Sequence, residues 1–209
     1  MNKGILIILT LIAAGCASKN PIIDSSLMGS SEIQTMNYDQ IHSKLQHFDA
    51  KSKHGLGGHV AVLARATPIT TPLIIADEKE QGKKQLRSDA DTQKIINERL
   101  RTEVKAKPCF FVSLQTSGPI EGAQFKNWIS KVKTKSGEMI DVEFANLSGV
   151  DSVPKARIGA WDAKVYQWEN YTGACAKKNF DRTEDFSLIL SSTLLTEVGN
   201  LEIKWTFSK

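Results

Sequence analysis

Histidine is missing from most of this chain, and its absence limits the available chemistry. All four histidines lie in the first third of the 209 residues: His42, His47, His54 and His59. Histidine is the commonest general base in enzymes, and the sequence beyond residue 59 contains none. Glycine-rich phosphate loops, the G-x-S-x-G motif and the H-E-x-x-H motif are also missing. We therefore predict a protein that is not an enzyme and that needs no cofactor.

Charge of one sign is not concentrated anywhere in the chain. The formal net charge of +4 comes from 27 basic and 23 acidic residues, which are spread along the sequence. Binding to nucleic acid requires clustered cations that neutralise phosphates. We therefore expect no nucleic acid partner.

The N-terminus has the layout of an export signal. Met1, Asn2 and Lys3 form a short positive region, and residues 4–14 form an apolar run. A membrane-spanning helix needs about 20 apolar residues, so this run is too short to remain as a span. We interpret residues 1–15 as a signal peptide.

The end of this signal resembles the lipobox of bacterial lipoproteins. Ala13, Ala14 and Gly15 immediately precede Cys16, with Ala13 where leucine is commonest. The resemblance implies that Cys16 carries diacylglycerol and further acyl chains such as palmitate, and that cleavage makes it the mature N-terminus. Because Ala17 is not aspartate, the resemblance favours the outer membrane. The alternative is an ordinary secretory signal that leaves Cys16 free.

The residues after Cys16 indicate a flexible tether and then a helix. Residues 16–36 are polar and serine-rich without periodicity, which is typical of a leash. Asn37 is a suitable N-cap for a short helix over residues 38–51. A glycine-rich turn completes the segment 37–58, which also holds three of the four histidines, and His59 follows it directly.

These histidines provide an alternative function, a metal-binding protein or metalloenzyme that uses His42, His47, His54 and His59. Neutral imidazoles are common ligands of zinc and copper. However, His42 and His47 are five residues apart, which places them about 140° apart on a helix. We therefore predict no metal site.

Residues 59–209 predict an antiparallel β-sandwich, immunoglobulin-like in architecture. Short segments rich in β-branched and aromatic residues recur between turn residues. The predicted strands cover residues 109–116, 125–134, 161–171, 186–190 and 201–207. Gly199 and Asn200 are interpreted as a two-residue hairpin loop, although residues 191–198 could alternatively be helical.

One hairpin can be derived in register. With Gly137 in the left-handed position of a three-residue loop, Val132 faces Ile140, Ser130 faces Val142 and Trp128 faces Phe144. The same register places Lys131 opposite Asp141 on the other face. Turn, apolar pattern and charge pairing therefore agree.

An insertion interrupts the β pattern. Pro68 and Pro72 indicate an extended stretch toward Ile75, and residues 76–87 indicate an exposed charged loop. Ser88 then caps a helix over residues 88–107. Its apolar stripe is narrow, so it is expected to pack on one surface only.

Cys109 and Cys175 remain once Cys16 is assigned to lipid. In an oxidising envelope we expect them to form a disulfide, although two buried thiols that never meet are the alternative. Closing a loop of about 67 residues would contribute about 4 kcal/mol.

The function expected from the sequence is a lipid-anchored binding or assembly domain of the cell envelope. Its partners would be the membrane, through the lipid, and an envelope protein or glycan. The aromatic residues between 161 and 171 are a weak signal for such contacts. A hydrolase that uses carboxylates such as Asp162 and Glu169 is a more distant alternative.

Overall fold

The computed structural model describes residues 20–29, 36–55, 58–145, 153–156 and 166–208. The helices are α1 (Ser26–Gly29), α2 (Tyr38–Leu45), α3 (Thr71–Lys84) and α4 (Asp89–Arg99), which continues into a π-helix (Leu100–Lys105). The strands are β1 (Ile22–Ile23), β2 (His47–Gly55), β3 (Gly58–Pro68), β4 (Cys109–Thr116), β5 (Trp128–Thr134), β6 (Met139–Ala145), β7 (Lys155–Ala156), β8 (Trp168–Ala176), β9 (Phe186–Ser192) and β10 (Leu201–Phe207). Short 3₁₀ helices cover Ile120–Ala123, Phe125–Asn127 and Thr196–Val198.

The described strands form one large sheet, which confirms a mainly β protein. Its order is β1-β10-β9-β5-β6-β8-β4-β3-β2, with β7 added beside β8, and it curls into a half-barrel. The prediction of an antiparallel sheet is wrong because β1 runs parallel to β10, although the other described pairings are antiparallel. The sandwich and its immunoglobulin-like architecture are not confirmed. Alternation indicates that a strand has one buried face, but it does not say whether a second sheet or the same curled sheet covers that face.

Side chains of β2, the strand at one end of the curled sheet, contact β10 near the other end, along what we call the seam. His47 donates from Nδ1 to the Lys204 carbonyl at 2.5 Å. The Asp49 carboxylate accepts from the Glu202 amide at 2.8 Å, and the Lys51 ammonium donates to the carbonyl of Asn200. Three alternate residues of β2 therefore bond to the backbone of β10 or of Asn200 just before it, in a place where a closed barrel would have ladder hydrogen bonds.

The main core lies on the concave face of this sheet and is centred on Trp205. This side chain is fully buried, and its ring stacks on Phe186 with centroids 5.0 Å apart and on His47 at 5.6 Å. Its Nε1 donates to the carbonyl of Leu45 at the end of α2. Burial of the ring therefore leaves its N–H satisfied.

The predicted hairpin is confirmed over most of its length. Val132 pairs with Ile140, Ser130 pairs with Val142, and Gly137 has a φ of 88°. Lys131 and Asp141 form an ion pair at 3.1 Å.

The first pair of that predicted register is wrong, because the ladder between β5 and β6 stops at Ser130 and Val142. On their other sides, Trp128 pairs with Ser192 of β9 and Phe144 pairs with Ala174 of β8. The predicted register therefore holds from the turn as far as Ser130 and Val142.

The N-terminal segment departs from the predicted tether. Ile23, Leu27 and Met28 are each at most 3% exposed, so residues 20–29 belong to the folded body. The N-cap at Asn37 is confirmed, and Gln40 completes a capping box with it, but α2 ends at Leu45 rather than near residue 51. The residues from His47 onward form strand β2 instead of helix. Every second side chain from His47 faces β10, which fits the two-residue period of a strand.

The charged insertion is helical from an earlier point than predicted. Residues 71–84, expected to be extended and then a loop, form α3, with Thr70 as N-cap and Pro72 in the first turn. The predicted cap Ser88 is confirmed and starts α4 at Asp89. Proline has no amide hydrogen, and the first turn of a helix does not need one, so Pro72 marks a helix start here rather than a sheet edge.

The remaining strand predictions are confirmed in part. The bounds of β4 and β10 agree with the sequence, whereas β5 starts at Trp128 because residues 125–127 form a 3₁₀ turn. The predicted two-residue loop before β10 is wrong, since residues 193–200 connect β9 to β10 and include a 3₁₀ turn. The part of the predicted strand over residues 161–165 lies outside the described residues.

Candidate binding site

The two strand cysteines lie directly opposite each other. Cys109 on β4 pairs in register with Cys175 on β8, and their Cα atoms are 4.1 Å apart with the sulfurs joined at 2.06 Å. Cys109 is 2% exposed and lies in a small apolar cluster with Ile69 and Ile74. The structure thus joins the two cysteines that were predicted to pair once Cys16 was assigned to lipid. Cys16 itself lies outside the described residues.

The histidines do not form a shared site within the part of the chain that the structure describes. His42 stacks on Tyr38 and its Nε2 lies 3.2 Å from the Thr67 hydroxyl, whereas His47 is buried in the seam. Burial lowers the pKa of both histidines below the ordinary value of 6.5. His54 and His59 pair in the hairpin of β2 and β3, and their side chains are not described. The described residues contain no group of three or more potential ligands, so this structure does not support a metal site.

A cluster of charged side chains joins α3 to α4 and the π-helix. The Arg99 guanidinium contacts Asp77 at 2.6 Å, Glu78 at 2.7 Å and Glu103 at 3.0 Å, and Arg87 contacts Glu78 at 2.9 Å. Burial disfavours the charge on Arg99, but the hydrogen bonds that its guanidinium donates to these carboxylates raise its pKa above the ordinary value. A carboxylate set occupied by its own arginines serves to hold helices together, so we assign it no ligand.

A cavity opens beside the beginning of β5. Its volume is about 510 Å³, within the range of small-molecule and side-chain binding sites. Its walls are Gln124, Phe125, Lys126, Phe144, Val153, Pro154 and Thr172. The rings of Phe125 and Phe144 contact each other with centroids 4.9 Å apart and supply the apolar wall.

Local hydrogen bonds fix the segment that carries this wall. The indole of Trp128 donates to the carbonyl of Gly122 at 2.9 Å, and the buried amide of Asn170 donates to the carbonyl of Ala123 at 2.8 Å. A Cβ on Gly122 would lie only 3.1 Å from Leu195, so this turn is closely packed. Gln124 and Phe125 are therefore presented from a rigid turn rather than from a loose loop.

One polar atom in the wall is unused. The Oε1 of Gln124 is buried and has no hydrogen-bond partner among the described residues. The hydroxyl of Thr172 donates to the carbonyl of Gly173, and Lys126 is exposed at the rim. A buried acceptor without a donor costs free energy, which a ligand carrying an N–H or O–H would recover.

The cavity suits binding better than catalysis. Among the residues that line it, Lys126 is the only one with a readily titratable side chain. General acid–base chemistry needs a positioned donor and acceptor pair, which these lining residues do not supply. The arrangement can hold a group with an apolar body and one hydrogen-bond donor.

Sequence reasoning did not find this cavity. Phe144 was identified as an inward-facing strand residue, but its partner Phe125 was assigned to a strand rather than to the turn that orients it. The available signal was Pro119 followed by Gly122, which is typical of a turn before β5. The aromatic segment over residues 161–171, which the sequence suggested for binding, does not line this cavity among its described residues. The indole of Trp168 donates to the carbonyl of Gly118, and Trp161 lies outside the described residues.

Comparisons with protein families, curated proteins and solved structures found no match to this chain. Within the described residues, the structure contains no helix with the length and apolar character of a membrane span. Any functional conclusion therefore depends on the residues of this chain themselves.

Proposed function

We propose that this protein is a lipid-anchored component of the bacterial cell envelope whose half-barrel is a non-catalytic binding domain. The observation that carries the proposal is the N-terminal pattern, a positive start and an apolar run that ends in Ala13, Ala14, Gly15 and Cys16. Two or three acyl chains suffice for stable attachment, because each buried methylene contributes about 0.8 kcal/mol.

The arrangement of the cysteines supports this proposal. Cys109 and Cys175 pair with each other, which leaves Cys16 as the cysteine available for another reaction. A disulfide is also typical of a compartment outside the cytosol. The outer membrane is the proposed location, since Ala17 stands where an aspartate would favour the inner membrane.

Attachment can be tested by replacing the anchoring sulfur. The Cys16→Ser protein should lose the attachment to membranes that resists high salt and alkaline washing, and it should appear in the washed supernatant. A variant with Cys109→Ala and Cys175→Ala is the matched control, because it removes two thiols and should remain attached. Equal attachment of the Cys16→Ser and native proteins would contradict the proposal.

The binding function is assigned to the cavity between Phe125 and Phe144. We propose an envelope protein as the partner, which inserts a side chain with an apolar body and a hydrogen-bond donor. The buried Oε1 of Gln124 supports the need for a donor, and the paired rings support an apolar contact.

A photoreactive residue at position 126, on the rim, tests this assignment in living cells. It should produce a discrete crosslinked protein, whereas the same residue at exposed position 133 on β5 should not. Gln124→Met keeps the volume but removes the acceptor, so it should weaken the crosslink. Identical adducts at positions 126 and 133, or none at 126, would exclude this cavity as the binding site.

A further inference from the structure

The folded body of the protein begins very close to the proposed lipid anchor. The Asn20 amide donates to the Phe48 carbonyl at 3.0 Å, and the Phe48 amide donates to Oδ1 of Asn20 at 3.2 Å. Two residues later, Ile22 and Ile23 pair in parallel with the end of β10. The chain is therefore tied to β2 and β10 from residue 20 onward.

Covalent geometry limits how far this body can move from Cys16. Only residues 17–19 separate Cys16 from Asn20. Four steps between Cα atoms, at about 3.3 to 3.6 Å each, span roughly 14 Å at full extension. By contrast, the flexible tether that the sequence predicted over residues 16–36 would span roughly 70 Å at the same rise per residue.

An exposed apolar residue lies at this end of the body. Ile22 is 70% exposed, while its neighbour Ile23 is 2% exposed and packs in the main core. Pro21 is also exposed. A single exposed isoleucine would need no explanation elsewhere on the surface, but here it follows the anchor by six residues.

We infer that the end of the half-barrel formed by Asn20, Pro21 and Ile22 rests on the lipid leaflet, with Ile22 at the boundary of headgroups and acyl chains. This inference rests on the proposed lipidation of Cys16. The leaflet is the occupant of this surface because the anchor holds Asn20 within roughly 14 Å of Cys16 at full extension, which is about twice the thickness of one headgroup layer.

This orientation also places the candidate cavity away from the membrane. Both β5 and β10 are antiparallel to β9, so they run in the same direction. Ile22 pairs beside Thr206 near the end of β10, whereas the cavity precedes the start of β5. Along the strand direction, Ile22 and the cavity are therefore separated by about the length of β10 from Leu201 to Thr206, which is about 17 Å.

The experiment uses the full-length protein, lipidated in a bacterial host and reconstituted in vesicles of phosphatidylethanolamine and phosphatidylglycerol with brominated acyl chains. Ile22→Cys is labelled with an environment-sensitive fluorophore. Leu194→Cys is the control, because Leu194 is 51% exposed and precedes the opposite end of β10. Bromolipid should quench the label at position 22 several-fold more strongly than the label at 194.

A second variant tests the short connection itself. Inserting about 15 Gly and Ser residues after Ala17 adds roughly 20 Å of mean reach and should reduce quenching at position 22 to the level at 194. Persistent quenching in this variant would overturn the inference.

Intact mass of the same samples separates this inference from the proposed function. An acylated protein with equal quenching at both positions would overturn the membrane-facing orientation and leave the anchor standing. A protein without acyl chains would overturn the anchor, and the orientation with it.

Discussion

Two regions of this protein are stabilised in different ways. The concave face of the half-barrel is apolar and surrounds Trp205, whose contacts come from strands far apart in sequence. The opposite face of β4 and β8 carries the disulfide, which packs with Leu100 and Val104 of the π-helix. In the helical layer formed by α3, α4 and this π-helix, Arg99 is surrounded by three carboxylates. The first region depends on exclusion of water, and the second depends on charge pairing and a covalent bond.

The largest expected effect comes from the concave face. Trp205→Ala should reduce the free energy of unfolding by about 4 to 5 kcal/mol, because it leaves a cavity in a fully buried position. Urea unfolding followed by circular dichroism measures this loss. Thr206→Ala, at the next and exposed position, should change stability by less than about 0.5 kcal/mol. Similar losses in both variants would show that Trp205 is not the centre of the core.

The disulfide should contribute nearly as much. Cys109 and Cys175 are 66 residues apart, so replacing both with alanine should cost about 4 kcal/mol through the larger conformational freedom of the unfolded chain. Reduction of the native protein should lower its stability to about the level of the double variant. A reduced protein as stable as the oxidised one would contradict the predicted contribution.

Removal of Arg99 should be the next most costly change. Arg99→Met leaves Asp77, Glu78 and Glu103 close together without their common cation, which should cost about 3 kcal/mol. Arg101→Met is the control, since its ion pair with Glu98 is exposed and should contribute little to stability. Thermal unfolding of both variants would sharpen the comparison. Equal losses of stability in the two variants would mean that the Arg99 cluster contributes no more than an exposed ion pair.

The seam between β2 and β10 should make stability depend on pH. Burial lowers the pKa of His47 below 6.5, so the unfolded chain binds a proton that the folded protein binds only at lower pH. The contribution of neutral His47 to stability is therefore fully present above pH 6.5, and it is lost as the pH falls through the lower pKa of the folded protein. Unfolding measured between about pH 5 and 7 should show this decline, and His47→Gln should make it shallower.

His42 provides the control for that measurement, because burial lowers its pKa in the same direction at a site outside the seam. His42→Gln should remove the part of the stability loss at low pH that comes from His42, and the part that comes from His47 should remain. A decline that neither substitution alters would contradict the assignment to these histidines.

The smallest expected effect is a gain in stability at the end of α3. Leu86 is 92% exposed and has a φ of 52°, a left-handed conformation that is costly for residues with a Cβ. The amide of Arg87 bonds back to the carbonyl of Gly82, which is typical of a helix end that favours glycine. Leu86→Gly should stabilise the protein by about 0.5 kcal/mol, whereas Leu86→Ala should not.

The same two regions differ in how well the sequence predicts them. Strict alternation of apolar and polar side chains predicted β10 with correct bounds, because one face of this strand lies in the core. The bounds of β4 were predicted from its β-branched and aromatic residues between turn residues. The hairpin at Gly137 was predictable since its turn fixes the register locally. Curvature of the sheet was not predictable, because the bonds from His47 and Asp49 to β10 join residues more than 150 positions apart.

The helical layer and the candidate cavity were harder to predict. In α3, Glu78 is buried against Arg99 and Arg87, so the buried face of this helix includes charged residues and lacks a plain apolar stripe. The cavity depends on a turn that brings Phe125 onto Phe144, from segments that are not adjacent in the sheet register. The disulfide was predictable only because three cysteines left a single pair once Cys16 was assigned to lipid.

The most direct test of the account is the intact mass of the native protein extracted from membranes. The account predicts a polypeptide that begins at Cys16, carries diacylglycerol and further acyl chains, and has the mass deficit of one disulfide. A polypeptide that begins at Met1, or one that begins at an unmodified Cys16, would contradict it.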